Sequence, residues 1–384
     1  MCSVGPMRSR APAPGKGTVG DEDQMRRALD LARRGVASVS PNPPVGAVVL
    51  DASGAVVGEG WHRRAGEPHA EVHALAAAGA RARGGTLVCT LEPCSHVGRT
   101  PPCSDAVVAS GIARVVVSVR DPNPVVDGRG IARLRAAGIE VVEGVLPEEG
   151  ARLIEAFAKH VRTGLPFVTW KFASSLDGKV AASDGSSRWI TGETAREDVH
   201  RLRAASDAVV TGSGTALADD PSLTVRIGGA SPRTPLRVLV DGRGRVPATG
   251  RLFDGSAPTL VATTHEASPA ARSAWSATGA EVVDLPGRAG RVDLAELVSL
   301  LGKREIRSVL LECGPTLAWA ALEANLVDRV VAYVAPVLIG GDGAPTPLGG
   351  SGFAPVGAAH RVVIDAVERI GDDVRVEAHV HRDR

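Results

Sequence analysis

Pro68-His69-Ala70-Glu71-Val72-His73-Ala74-Leu75, followed by Leu91-Glu92-Pro93-Cys94-Ser95-His96-Val97-Gly98-Arg99-Thr100-Pro101-Pro102-Cys103-Ser104-Asp105, decides how the first half of this 384-residue chain folds. The imidazole of His69 and the thiols of Cys94 and Cys103 form the soft donor set that zinc takes in tetrahedral sites. Three protein ligands leave the fourth position open to water, as a catalytic site requires. Glu71, two residues past the histidine, is placed to take a proton from that water and return it to a leaving amine. These residue types imply hydrolytic deamination with one Zn2+ per chain. Working outward, Thr86 to Leu91 reads as a short apolar strand that delivers Pro93-Cys94. The Pro-Pro-Cys-Ser-Asp start signal puts Cys103 in the first turn of a helix running to Ser110, where the helix dipole favours thiolate. His69, just after Pro68, opens a helix predicted over Ala70 to Ala82. One strand end and two helix starts can thus meet at one metal.

The generic zinc deaminase signature is H-x-E followed by P-C-x-x-C. Its first half is intact here, but eight residues separate Cys94 from Cys103, unlike an ordinary cytidine deaminase. A nucleobase or tRNA-type zinc deaminase with an unrelated second domain would share the ligands. One acting on a single-stranded polynucleotide would also need aromatic stacking platforms and a basic groove. Aromatic residues make up only 3% of the chain and the net charge is +1, so a free small molecule is the expected substrate, with no nucleic-acid partner. A non-enzymatic scaffold with structural zinc would need a fourth protein ligand, and His73, one helical turn after His69, is the nearby candidate. The plainest alternative makes the histidine and both cysteines core residues.

The length points to two cores of roughly 130 and 220 residues. Residues 1–20, rich in Pro, Gly and basic residues without apolar periodicity, are expected to form a disordered tail in which Cys2 has no function. Residues 21–147 read as the zinc domain: a helix from Asp23 to Arg34, a hairpin of Val45 to Leu50 with Ala55 to Gly60, then alternating helices and strands including Arg114 to Val119. This is a mixed sheet flanked by helices. Residues 148–164 read as a connecting segment with one helix, Glu148 to Arg162, and residues 165–384 as the second domain. Five cysteines, an odd number, with no secretory segment or transmembrane-length apolar run, imply a reduced, cytoplasmic protein without a membrane partner.

The second domain opens with a strand over Phe167 to Ala173 and contains V-V-T-G-S-G-T and L-R-V-L-V-D, apolar strands ending in small or acidic residues. Such ends place ligands at the carboxyl edge of a parallel sheet. Ser308 to Glu312 reads as another strand and G-P-T-L-A-W-A-A-L-E-A as a helix whose N-terminus, at Gly314, can receive a pyrophosphate without a cationic side chain. No G-x-G-x-x-G with a suitably spaced acid follows a strand, although G-S-G-T and G-R-G-R look similar.

The runs S-P-N-P-P-V-G-A-V-V, G-E-G-W-H-R-R-A-G-E-P-H-A-E-V, T-L-E-P-C-S-H-V-G-R-T-P-P-C and R-D-P-N-P-V-V-D-G-R-G resemble the deaminase half of the bifunctional riboflavin-biosynthesis deaminase/reductases, whose own cysteine spacing includes the eight-residue gap. W-K-F-A-S-S-L-D-G-K-V-A, S-R-W-I-T-G, D-V-H-R-L-R-A-A-S-D-A-V-V-T-G-S-G-T-A-L-A-D-D-P-S-L-T-V-R and L-L-E-C-G-P-T-L-A resemble their reductase half. The resemblance, from about Asp21 onward, implies an α/β chain: a cytidine-deaminase-like domain plus a dihydrofolate-reductase-like domain using NADPH, acting on a phosphorylated pyrimidine as a homo-oligomer. It implies that Asn42, Asp121 and Asn123 read the pyrimidine edge or ribose, and that His62, His96, Arg99 and Thr100 surround the substrate phosphate. In the reductase it implies substrate contacts from Lys171, Asp177, Ser187, Arg203, Leu223, Arg226 and Glu312. Cofactor contacts are implied for Ala173, Trp189, Thr215, Asp219 and the run Gly314, Pro315, Thr316, Leu317, Ala318, Trp319 and Ala320. Cys313, where the family more often carries glycine, is assigned no catalytic role. Replacing Arg99 by alanine is expected to raise the deaminase KM more than it lowers kcat, and an unchanged KM in steady-state kinetics rejects the phosphate role.

Overall fold

The computed structural model describes residues 17, 19–95, 101–228 and 233–380, and it divides into two compact units between Val161 and Arg162. The first unit contains α1 (Val19–Arg33), β1 (Gly46–Leu50), β2 (Val56–Trp61), α2 (Ala70–Ala78), β3 (Thr86–Leu91), α3 (Cys103–Ser110), β4 (Arg114–Val119), α4 (Arg129–Ala136), β5 (Glu140–Glu143) and α5 (Pro147–Leu153). Its strands form one sheet in the order β2-β1-β3-β4-β5. The pairings β1 with β2 and β1 with β3 are antiparallel, and those of β3 with β4 and β4 with β5 are parallel.

Strand alternation sorts the apolar residues between two faces. Val48, Val88, Val116 and Val142 meet Met25 and Leu29 of α1. Their neighbours Ala47, Val49, Leu87, Cys89, Val115, Val117 and Val141 meet α2, α3 and α4 through Ala70, Ala74, Val107, Ile131 and Leu134. Both faces are covered, so the central strands read as continuous apolar runs.

Three sequence expectations are corrected here. The expected tail of residues 1–20 does not extend through its last two positions, because Val19 and Gly20 belong to α1; residues 1–16 and 18 lie outside the described residues. The helix over Ala70 to Ala82 ends at Ala78 and continues only as a 3-10 turn, because Gly79 takes a φ of +56°. The single helix over Glu148 to Arg162 is two, α5 and α6 (Glu155–Thr163), interrupted at Ile154. The interruption buries the Ile154 side chain in the first core, and its carbonyl accepts the Ala158 N–H that starts α6.

The second unit holds β6 (Phe167–Ser175), α7 (Glu193–Ala204), β7 (Ala208–Gly212), α8 (Ser213–Asp219), β8 (Leu236–Val240), β9 (Thr259–Thr263), α9 (Pro269–Ala277) and β10 (Glu281–Asp284). These are followed by a two-stranded hairpin of β11 (Gly287–Arg288) and β12 (Arg291–Val292), then α10 (Leu294–Lys303), β13 (Ser308–Leu311), α11 (Pro315–Glu323), β14 (Arg329–Ala335), β15 (Val362–Ile370) and β16 (Asp373–Val380). A nine-stranded sheet runs β10-β9-β8-β7-β13-β6-β14-β16-β15. It is parallel from β10 to β14, and β16 and β15 complete it in antiparallel fashion. The carboxyl ends of seven neighbouring parallel strands, from β10 to β14 in the sheet order, therefore share one edge, the position at which α/β sheets take ligands. No helix among the described residues is long and apolar enough to cross a membrane.

Candidate functional sites

Within the first unit, α2 lies backbone to backbone on β2. A Cβ at Gly58 would sit 2.2 Å from the Ala74 carbonyl oxygen, and one at Gly60 would sit 2.5 Å from that of Ala70. This contact sets the start of α2, where His69 is the N-cap in extended conformation. Its Nδ1 is 3.1 Å from Cys103 Sγ and 3.7 Å from Cys94 Sγ, and the three ligand atoms lie within 4.8 Å of one another. Ligands on a tetrahedral zinc stand about 3.5–3.8 Å apart, so the cluster fits that ion with little adjustment. His73, the fourth ligand a structural zinc would need, is outside the cluster, and no other His, Cys, Asp or Glu joins it among the described residues. Cys89 is core, buried on β3.

Cys103 opens α3, and its free backbone N–H donates to Cys94 Sγ at 3.3 Å. Donation from the Cys103 thiol lowers the Cys94 pKa to about 4, with help from His69. Cys103 is pushed up by the same contact and by burial. The Cys94 thiolate in turn raises the His69 pKa, although the ring nitrogen is nearer Cys103. Glu71 is 3% exposed and its Oε2 has no hydrogen-bond partner. Burial raises it to about 7, and the attraction of His69 limits the rise. A buried acid beside three metal donors, with an uncommitted oxygen and a pKa near neutrality, can both accept and return a proton.

Glu92, which has no assigned role in the sequence motif, holds the neighbouring wall. Its carboxylate, 2% exposed, accepts the backbone N–H groups of Asp121 (3.2 Å), Gly128 (2.9 Å), Gly130 (2.9 Å) and Ile131 (3.1 Å). A Cβ at Gly130 would fall 1.9 Å from the Pro93 carbonyl oxygen. The Asp121-Pro122-Asn123 loop is thereby fastened to the strand end that carries Cys94. The sequence signal was a carboxylate at the end of an apolar strand together with the glycine-bearing D-G-R-G loop. Asp121 and Asn123 accept the N–H groups of Asn123 (2.9 Å) and Val125 (3.1 Å), and Asp121 is near enough to raise the His69 pKa.

Asn42 Nδ2 donates to His62 Nε2 at 2.9 Å, and His62 Nδ1 lies 3.2 Å from the Pro68 carbonyl. A carbonyl only accepts and the Asn42 amide nitrogen only donates, so the proton sits on Nδ1 and Nε2 is the acceptor, the neutral tautomer; burial also depresses the pKa of the ring. The ring meets His69 edge-on, with centroids 5.0 Å apart. His62 is 2% exposed with both nitrogens committed, so it orients Asn42 and does not face a phosphate as expected from sequence. His96, Arg99 and Thr100 lie outside the described residues.

The second unit gathers charge at the parallel edge. Glu312, just beyond β13, receives a bidentate grip from Arg203 of α7, Nε at 2.5 Å and the second guanidinium nitrogen at 2.9 Å, with Lys171 Nζ at 3.8 Å. Burial alone would raise its pKa, but Arg203 and Lys171 hold it at about 2. Arg203 also donates to the Thr224 carbonyl at 3.2 Å. Desolvation and repulsion from Arg203 depress Arg226, so two guanidinium groups share one electrostatic environment that favours an anion. Leu223 buries its side chain in the core at a φ of +50°, leaving only its main chain to meet a ligand. Asp177 accepts from Ser175 Oγ (2.5 Å) and the amides of Ile339 (3.1 Å) and Gly340 (2.7 Å), which hold its pKa at about 2. Its carboxylate ties down a loop.

Among the expected cofactor positions, Thr215 Oγ1 would be 3.3 Å from a Cβ on Gly314, the N-cap of α11. Ser187 Oγ donates to Asp219 Oδ1 at 3.3 Å, and Trp189 is 71% exposed with the Arg196 guanidinium 4.6 Å from its ring centre. Ala173 packs against a small core around Tyr333. Ala318 and Trp319 bury their side chains, Trp319 against Phe353, so at these two positions of the Gly314 to Ala320 run the main chain is what remains for a ligand. The Cys313 thiol, raised by burial and by Glu312, stays protonated.

Residues 19–119 match the family described as the cytidine and deoxycytidylate deaminase zinc-binding region, and residues 166–376 match the RibD C-terminal domain. The chain is 47% identical over 333 residues to the riboflavin biosynthesis protein RibD of Escherichia coli (strain K12), covering 84% of this chain and 89% of that protein. It is 42% identical over 359 residues to the protein of the same name from Bacillus amyloliquefaciens, covering 93% and 96%. Among solved structures, Acinetobacter baumannii RibD (form 1) superposes with a TM-score of 0.84 at 38% identity, covering 94% of this chain and 99% of that one. A diaminohydroxyphosphoribosylaminopyrimidine deaminase/5-amino-6-(5-phosphoribosylamino)uracil reductase from Thermotoga maritima gives 0.83 at 37%, with the same coverage.

Replacing Glu92 by alanine orphans amides that are buried at Asp121, Gly130 and Ile131, at a cost of about 1–3 kcal/mol each if none finds another partner. Hydrogen exchange is expected to show lost protection across residues 121–131 with the second unit unchanged; retained protection there contradicts the clamp.

Proposed function

The chain belongs to the family of bifunctional riboflavin-biosynthesis deaminase/reductases, and from that premise we propose the following division of labour. Residues 21–147 deaminate 2,5-diamino-6-(5-phosphoribosylamino)pyrimidin-4-one by hydrolysis. Residues 165–384 then reduce the ribosyl group of 5-amino-6-(5-phosphoribosylamino)uracil to the ribityl product. A polynucleotide or tRNA-type deaminase with an unrelated second domain is set aside, because the second half matches the RibD C-terminal domain.

The observation that carries the deaminase assignment is the uncommitted oxygen of buried Glu71 beside the His69, Cys94 and Cys103 donors. Those three residues hold zinc, which when bound makes a water nucleophilic near neutral pH. Glu71 takes the proton of the attacking water and delivers it to the departing 2-amino nitrogen, so ammonia leaves as a neutral molecule. Asn42, oriented by His62, together with Asp121 and Asn123 recognises the pyrimidine edge and ribose. Family resemblance assigns His96, Arg99 and Thr100 to the phosphate.

In the reductase, NADPH when bound would supply the hydride for reduction of the ring-opened ribose. Arg203 and Arg226 anchor the substrate phosphate, with Arg203 held in place by Glu312, and Lys171, Ser187 and the Leu223 main chain border the sugar. Asp177 shapes this wall by fixing the loop at Ile339 and Gly340. Thr215, Asp219, Trp189, Ala173 and the run Gly314 to Ala320 would hold the cofactor, the α11 N-terminus offering backbone N–H groups to its pyrophosphate. We place the protein in the cytoplasm, a reading that accords with free thiols at Cys89, Cys94, Cys103 and Cys313.

Replacing Glu71 by alanine is expected to lower ammonia release by about 100-fold or more, while NADPH oxidation with the deaminated intermediate keeps its wild-type rate. A zinc chelator should reproduce this split. Loss of both activities in either experiment contradicts independent sites.

We also assign a homo-oligomer. β15 is the last strand of the nine-stranded sheet, and its Val362, Val363, Ile364 and Val367 are 48–61% exposed, an apolar edge that pairing with a second copy would cover. Sedimentation should give a dimer or larger species that Ile364→Lys shifts toward monomer; a wild-type monomer rejects the assignment.

A further inference from the structure

Residues 220–227, the segment that carries Leu223 and Arg226, form neither helix nor strand, so their course depends on side chains that reach them from elsewhere. Two such contacts come from arginines. Arg203 of α7 donates to the Thr224 carbonyl at 3.2 Å, and Arg237 of β8 reaches the Ser222 carbonyl at 3.4 Å. A third comes from His200, to which nothing above assigns a role. Its Nδ1 accepts the backbone N–H of Arg226 at 3.1 Å. His200 and Arg203 stand three residues apart on α7, the spacing that puts both on one face of a helix, so a single face grips the segment at Thr224 and at Arg226.

The chemistry of the imidazole suits this contact. An amide N–H only donates, so Nδ1 is the bare nitrogen and the ring proton sits on Nε2. Burial and the neighbouring Arg203 and Arg226 cations lower the His200 pKa, against an upward pull from the Thr224 main chain and Glu312. The ring therefore stays neutral near pH 7 and keeps its acceptor. A cationic side chain here would lose the bond and add a third positive charge. The contact also leaves the guanidinium free for other work, because it holds Arg226 by its main chain. Nη1 of Arg226 donates to Ser222 Oγ at 2.7 Å, and its Nε and Nη2 have no partner among the described residues. Donors to spare on an arginine whose Cα is fixed are what bidentate capture of a phosphate requires.

We propose that His200 is a positioning residue of the reductase site: its Nδ1 pins the Arg226 main chain to α7, so that the Arg226 and Arg203 guanidinium groups converge on the substrate phosphate. This rests on the reductase reading given above. His200 touches neither the reacting carbon nor the cofactor, so its effect is on substrate binding.

Steady-state reduction of the deaminated intermediate by the full chain tests the role with two variants. His200→Leu keeps bulk and removes the acceptor, whereas the Oδ1 of His200→Asn falls where Nδ1 does and keeps it. The leucine variant should raise the KM for the phosphorylated substrate about 3- to 10-fold, with kcat and the KM for NADPH within about twofold of wild type. The asparagine variant should restore the substrate KM to within about twofold of wild type. Adding His200→Leu to Arg226→Ala should raise the KM no further, since the histidine acts through that arginine. An unchanged KM in the leucine variant, an asparagine variant as impaired as leucine, or losses that add fully in the double variant overturns the proposal and leaves the reductase reading intact. A wild type that does not oxidise NADPH with this intermediate removes the reductase reading, and the role of His200 with it.

Discussion

A side chain at Gly60 would meet the Ala70 carbonyl at 2.5 Å and one at Gly58 would meet that of Ala74 at 2.2 Å, so α2 reaches its place on β2 only because both strand positions lack a Cβ. The residues that follow from this contact are His69, at the cap of the helix, and Glu71, in its first turn. Small residues on the other partner complete the fit: Ala70, Ala74 and Ala78 form the inward stripe of α2. A helix held at ordinary side-chain distance from the strand would displace both the imidazole and the carboxylate from the cysteines. The histidine donor and the proton carrier thus depend on the same close approach. Glu92 does the corresponding work on the neighbouring wall, where four backbone amides converge on one carboxylate.

The reductase half uses buried charge in two ways. Arg237, 0% exposed, is satisfied by Thr259, Asp254 and the carbonyls of Arg251 and Ala257, so its guanidinium organises the turn before β9 and has nothing left for a ligand. Glu312 is held ionised by Arg203 and Lys171, and those cations remain at the rim of the sheet edge. The distinction lies in completeness. A buried ion with every hydrogen bond met is architecture, whereas a pair with donors to spare is a place where an anion can be received.

Much of the deaminase site was legible because its motif is local. His69 and Glu71 sit on one helical turn, and Pro93-Cys94 and Pro102-Cys103 mark a strand end and a helix start that need no long-range information. The strands Thr86–Leu91 and Arg114–Val119 were read residue for residue, since burial on both faces makes them uninterrupted apolar runs. Less legible were features that depend on what packs where. Ile154 gives no break signal of its own, yet its burial splits a helix. His62 looks like a loop cation beside two arginines until its two nitrogens are seen to be spent on Asn42 and Pro68. Ala318 and Trp319 lie in the run expected to meet the cofactor, but helical rotation turns their side chains into the core.

By itself the sequence determined the donor types, the acid between them, the two-domain α/β organisation and the kinship of each half, because ligand chemistry and strand burial are written in residue identity and short spacing. Only the tertiary structure decided which polar groups face a ligand and which are consumed by the fold: Glu92 clamping a loop, His62 steering an amide, Asp177 pinning a turn, and His200 of α7 holding the main chain of Arg226. The physical reason is that a side chain's availability depends on the hydrogen-bond partners that packing brings to it, and those partners come from distant parts of the chain.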